Sequence, residues 1–194
     1  MNTSFYAKDE LKKIGLKKIG ENVLISKNAC FYGGEDIAIG NNTRIDDFCI
    51  LSGHITIGDN VHIAAYSALF SGKYEIKIGD FTAISSRCSV YAESDDYTGI
   101  SLSGAIRDER FRQPIGGNII LEKHVLVGTG CTILPEVQIG EGVSVGAMSL
   151  INHNLLPWSV YVGIPARKIG ERNKDILRLE EQYRMIYSLK GEQN

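Results

Sequence analysis

No stretch of the 194-residue chain is apolar and long enough to span a bilayer, and residues 1–19 are studded with lysine rather than carrying an apolar run. A signal peptide and a spanning helix are both excluded on that reading. The expectation is a soluble, cytoplasmic protein with no membrane insertion. Excess charge is missing too: 21 Lys and Arg stand against 23 Asp and Glu, so the chain shows no electrostatic footprint for nucleic acid or an anionic membrane. Cysteine is sparse. Cys30, Cys49, Cys88 and Cys131 lack the tight spacing of a zinc site, and a disulfide framework would be out of place without export, so no metal is expected.

What the chain does have is a period of six. Between residues 121 and 156 an aliphatic side chain returns at Leu121, Val127, Ile133, Ile139, Val145 and Ile151, which fits neither a helix nor an alternating strand. Glycine follows three of these anchors, at Gly128, Gly140 and Gly146, and the fourth residue past all but the last is small or β-branched: Val125, Cys131, Val137, Val143, Ser149. Each hexapeptide therefore reads as one short strand plus a corner, and three of them as one turn of a roughly triangular parallel β-helix. Anchors point inward and stack from turn to turn. Glycine is expected at corners where a side chain would take up space or force a positive φ. Cys49, Cys88 and Cys131 occupy the fourth position and read as small core residues.

Taken in order, residues 4–14 read as a short helix capped by Ser4 and stopped by Gly15, lying over the first coil as a lid. The register then runs from Ile19 through Ile39, Ile57 and Ile78, at intervals of 20, 18 and 21 residues, so extra residues must bulge near Gly33-Gly34 and Gly72-Lys73. Repeat coils are expected over 19–95 and 119–156. No hexapeptide fits the polar segment 96–118, and a loop that long inside a compact domain tends to carry function. Domain boundaries follow: one repeat domain over 1–170, with 1–18 as its cap, and a C-terminal helix over 171–194 whose apolar positions are Ile176, Leu179, Tyr183 and Ile186.

For chemistry, the loop opens on Asp95 and Asp96, a pair able to accept a proton and orient a substrate. Adjacent acids also serve as turn residues. Histidine, whose pKa suits proton transfer, occurs only at His54, His62, His124 and His153, all in or beside regular hexapeptides. His62 and His124 stay open as candidate bases.

A hexapeptide prism, one large loop and the terminal run Gly163-Ile164-Pro165-Ala166-Arg167 together resemble the hexapeptide-repeat acyltransferases. The resemblance implies an all-β, left-handed parallel β-helix, a homotrimer, and acyl transfer from acyl-CoA, here acetyl-CoA, at clefts between subunits. Within that family residues 31–53, 94–99 and 140–150 are similar to the sugar-nucleotide acyltransferases of O-antigen clusters, which brings in Asp46, Asp47 and Tyr97 as candidate sugar-nucleotide contacts. The implied activity is N-acylation of a nucleotide-linked dideoxy amino sugar for surface polysaccharide. O-acetylation of a galactoside or polysaccharide sugar is the alternative within the family, and a non-catalytic structural β-helix the alternative outside it. One departure leaves the acceptor open: relatives tend to read Leu-Thr-Asn-Pro where this chain has Leu102-Ser103-Gly104-Ala105 and an arginine-rich run. Resemblance to the galactoside acetyltransferases marks Thr129, Ala147, Asn152 and Arg167 as CoA contacts, with Lys168 as a second cation for phosphate. Those relatives hold a histidine in the loop, and Asp95 stands at its position.

Overall fold

The computed structural model describes residues 4–191, with side chains through residue 187; residues 1–3 of the expected cap and 192–194 of the expected helix lie outside the described residues. Short strands pair in parallel, coil upon coil, on three faces. The first face carries Ile19, Ile39, Ile57, Ile78, Leu121 and Ile139 in register. Ile25, Ile45, Ile63, Ile84, Val127 and Val145 stack on the second. Phe31, Leu51, Leu69, Val90, Ile133 and Ile151 stack on the third. From Ile25 to Val127 the anchors of the second face are at most 1 % exposed, so the inside of the prism is a packed aliphatic column. Truncating one anchor to alanine removes about 2–5 kcal/mol by leaving a cavity that parallel coils cannot close.

Of the two reasons for glycine at the corners, space is the one that holds, and the left-handed positions lie elsewhere. The glycines after the anchors are not left-handed. They are there for space: a Cβ on Gly128 would stand 2.5 Å from the backbone N of Ala147 in the next coil. The left-handed residue is instead the third past the anchors of the first face, and of the second face from Ile45 on, and it is mostly not glycine: Asn42, Asn60, Phe81 and His124 on one edge, Phe48, Tyr66, Arg87 and Met148 on the next. Apart from Phe48, these N–H groups donate to a carbonyl of the neighbouring coil, as in Tyr66 N to Asp47 O at 3.0 Å and Met148 N to Thr129 O at 2.8 Å. That regular bond offsets much of the cost of a left-handed L-residue, about 1–2 kcal/mol.

All three insertions fall on the edge between the third and first faces. Gly33 and the 3-10 turn Gly34–Asp36 form one, the continuous strand Ala68–Ile78 absorbs the second, and the long loop is the third. The loop is closed at its base by antiparallel pairing of Glu93–Ser94 with Ile115–Gly116, and the repeat resumes at Ile119–Leu121.

The ends are closed differently. At the N-terminus the helix is only Lys8–Leu11, with Ala7 rather than Ser4 at its cap, because Phe5 is drawn into a bridge with Ser26 on the first coil. At the C-terminus Ser159–Val162 and Arg167–Glu171 form an antiparallel hairpin that covers the last edge. The helix Asp175–Gly191 then runs back along the edge between the first and second faces, where Tyr183 Oη donates to Asn60 Oδ1 at 3.0 Å. Its seam is more polar than the apolar stripe predicts. Glu180 accepts from Lys123 Nζ at 3.0 Å and Arg184 Nε at 2.7 Å, and lies 2.6 Å from His124 Nε2, because this corner presents Asp80, Lys123 and His124 to the helix. Leu179 and Ile186 are left about half exposed.

Candidate active site

Sequence-selected residues fall on two edges of the prism. The edge between the second and third faces carries a column of short side chains, Ala65, Ser86, Thr129 and Ala147, aligned by hydrogen bonds from Arg87 N to Ala65 O, Gly130 N to Ser86 O and Met148 N to Thr129 O. Thr129 Oγ1 donates to Ser86 O at 2.6 Å, which ties two coils together. The hairpin brings Arg167 to the C-terminal end of this column, opposite Val162, whose side chain lies against Gly146. Arg167 has no carboxylate partner among the described residues and donates only to Ala166 O at 3.1 Å, whereas Lys168 pairs with Glu171 at 2.5 Å. Arg167 is therefore a cation free to meet a phosphate.

At the N-terminal end of the same edge Asp46 bonds Arg44 Nε at 2.6 Å and His62 Nε2 at 2.9 Å, leaving His62 exposed on the second face. Asp47 accepts from the Ser26 hydroxyl, which holds its carboxyl below the usual range, and so it ties down the first coil.

The loop occupies the other edge of the third face. Asp95 Oδ1 accepts from Arg112 Nη2 at 3.0 Å and Oδ2 from Gly104 N at 3.3 Å; the guanidinium, more than the amide, holds its carboxyl below the ordinary value. Asp96 is different. Its oxygens accept from Thr98 Oγ1 at 2.6 Å, Thr98 N and Ile100 N at 2.8 Å, and Ser101 N at 3.1 Å. Led by the Thr98 hydroxyl, these donors bring its pKa down to about 2. Both oxygens are consumed by the turn, which makes Asp96 the residue that folds the loop. Tyr97 is 89 % exposed beside it. Asn152 follows Ile151 on this same edge, away from Thr129 and Ala147.

His124 is not in either group. Its side chain is 5 % exposed, stacks on Phe81 at 5.4 Å and contacts Glu180 under the C-terminal helix, where it lines a cavity with Asn60 and Tyr183 away from both edges. Among the described residues no cluster of His, Cys, Asp and Glu is placed to hold a metal ion. Sequence reasoning missed Arg112, which lies seventeen positions beyond Asp95 and reaches it only because the loop folds back through Leu102 N to Phe111 O.

A groove of small residues ending in a free arginine suits a long, flexible, phosphorylated donor, and a charged loop carboxylate suits a cationic or hydroxylated acceptor. Comparison with known proteins agrees. The family model for the bacterial transferase hexapeptide (six repeats) matches residues 36–70 and 118–153. Over 178 residues the chain is 42 % identical to the dTDP-4-amino-4,6-dideoxy-D-glucose acyltransferase of Escherichia coli, covering 90 % of this chain and 92 % of that one. It is 49 % identical, with a TM-score of 0.94, to AntD, an N-acyltransferase from Bacillus cereus solved with dTDP and 3-hydroxybutyryl-CoA, over 96 % of this chain and 100 % of that one. A variant of AntD solved with dTDP-4-amino-4,6-dideoxyglucose and coenzyme A aligns at 49 % identity and a TM-score of 0.90, over 94 % of this chain and 98 % of that one. The chain belongs to the hexapeptide-repeat acyltransferases, in the branch that contains the dTDP-amino-sugar enzymes. It is an acyltransferase, and a purely structural solenoid is set aside.

Proposed function

We propose that the enzyme transfers the acyl group of an acyl-CoA, acetyl-CoA being the first to test, to the amine of a dTDP-linked 4-amino-4,6-dideoxy sugar. One observation carries the choice of an amine: the loop offers a carboxylate, Asp95, and holds no histidine. A carboxylate titrating near or below about 3.9 is too weak a base to strip a sugar hydroxyl, whereas an amine titrating near ~8 is partly free base at neutral pH. Asp95 binds the arriving ammonium and fixes its nitrogen beside the thioester carbonyl carbon. The carboxylate first takes one proton from the ammonium and passes it to solvent, which frees the nitrogen lone pair; as the C–N bond then forms and the C–S bond breaks, a second proton passes by way of the same carboxylate to the departing sulfur. Thr129 and Ala147 wall the donor arm, Arg167 meets its phosphate, Asp46, Asp47 and Tyr97 are the candidates for the sugar nucleotide, and His62 is the alternative base.

The assembly follows from where these groups lie. Loop and groove are on opposite edges of the third face, so in one chain a whole face separates them. That face is also the uncharged one: outward positions along it are Ile50, Ala68, Ser89, Thr132 and Leu150, against Lys18 and Lys77 on the first face and Arg44 on the second. Turning the third face of three copies toward a common axis sets the loop edge of one against the groove edge of the next, a head-to-tail ring that closes as a trimer. The reading places the enzyme in the cytoplasm, where both substrates are made, in the service of surface polysaccharide.

The test is turnover followed by release of the CoA thiol with a panel of dTDP-linked amino sugars and their hydroxyl counterparts. Acylation of amines alone is the expected result. Turnover of hydroxyl acceptors with no acylation of amines would sink the reading.

A further inference from the structure

We infer that Arg112 is a positioning residue of the acceptor site: its guanidinium aims the Asp95 carboxylate and yields that place to the acceptor's ammonium. The inference rests on the proposed amine chemistry and adds a residue to it. The geometry of the loop singles out this one pair. Asp96 spends both oxygens on four donors, and Asp108 is committed to Arg110 and to capping the turn Glu109–Phe111. Asp95 is held by one long amide contact and by a single tooth of Arg112, Nη2 at 3.0 Å. A guanidinium that grips a carboxylate with two parallel bonds is hard to displace; one that grips it with a single bond is exchangeable.

The arginine lies deeper in the loop than the carboxylate. Its Nε is enclosed without a hydrogen-bond partner, its Nη1 lies 3.7 Å from Glu109 Oε1, and its side chain is 25 % exposed against 40 % for Asp95. The guanidinium is thus the more enclosed of the two groups, and the carboxylate faces outward beside it. Around the pair stand the acidic groups Glu109 and Glu93, which add to the pull on Arg112. The displaced guanidinium stays beside Glu109 and Glu93, whose carboxylates compensate its charge when the ammonium takes its place on Asp95. Arg112 also fixes which oxygen of Asp95 faces the acceptor, because Oδ2 is turned toward Gly104.

The test is a double-mutant cycle on the full enzyme, with Arg112→Gln, Asp95→Asn and the pair together, read as kcat and KM for the amino-sugar acceptor. Arg112→Gln is expected to lower kcat about ten-fold without raising KM, because the carboxylate loses its aim but also a competing cation. Arg112→Lys, which keeps the charge, is expected to recover part of kcat. In the Asp95→Asn background the Arg112→Gln change should alter neither constant by more than about two-fold, since the arginine then has nothing to aim. Equal losses in both backgrounds, or a raised KM with kcat retained, would show Arg112 to be a loop strut and overturn the inference. Failure of the amine reading looks different: the unmodified enzyme would acylate no amino sugar at all.

Discussion

Asp95 and Asp96 are neighbours in sequence and opposites in chemistry, because one carboxylate is closed by its own loop and the other is left on a displaceable cation. The pair was legible in the sequence as an acidic start to a long loop, but its division of labour was not. That division depends on amides at Ile100 and Ser101 and on Arg112, none of which a spacing rule reaches. Asp95→Asn is expected to lower kcat more than KM, and the loss should shrink as pH rises and more acceptor arrives as free amine. Because the Asp95 carboxyl is held below its ordinary value it stays ionised throughout that range, so the rise in rate must follow the amine. An unchanged loss from pH 6 to 9 in initial-rate measurements would count against it. Asp96→Ala should instead loosen the loop, seen as faster proteolysis between residues 96 and 113, with the prism intact. Arg167→Ala should raise the dissociation constant for CoA by about ten-fold, the loss of one charge-assisted phosphate contact, and leave acceptor affinity unchanged. Equal loss of both affinities by calorimetry would mark it as structural.

At the scale of the element, the repeat register was readable to the residue from Ile19 to Ile151, since a six-residue period leaves no freedom once the anchors are buried. The helices were less so. The N-terminal helix shrank because a bridge to the first coil competes with it, and the C-terminal helix docks through a charged cluster that no apolar periodicity reports. His124 belongs there. Glu180 sits in that cluster with a pKa of about 2: burial pushes it up, and the bonds from Arg184, Lys123 and His124 pull it further down. A carboxyl lowered in the folded state stabilises above its unfolded value of about 4.3, and that contribution is lost as pH falls from there through the folded value. Helix docking is therefore expected to weaken between about pH 4 and 2. Trp158, the only tryptophan, lies 6.4 Å from His124 and under Lys174, so its fluorescence reports the seam. Glu180→Gln should show the acid-type spectrum already at pH 7. A tryptophan signal unchanged by both acid and substitution would mean that the helix is held by its apolar contacts alone.

For the molecule as a whole, the proposed reading makes neither loop nor groove a site by itself, and the sequence could name both halves without showing that a face of the prism divides them. That division makes assembly testable through function. Ala68→Arg, which puts a cation in the middle of the uncharged third face, should give monomers in sedimentation together with loss of turnover, since one chain cannot bring Asp95 to Arg167. Complementation goes further. Asp95→Asn damages only the loop edge, and Arg167→Ala with Ala147→Trp damages only the groove edge. Each is expected to form a trimer of low activity. When the two are unfolded together and reassembled, a site built from an intact loop on one subunit and an intact groove on the next arises at about a quarter of the interfaces of a randomly mixed head-to-tail ring. Recovery of activity toward that fraction is the expected result. If the mixture stays as inactive as its parents while native-gel bands show that hybrids have formed, each site lies within a single chain, and the loop must cross the third face in a conformation other than the one described.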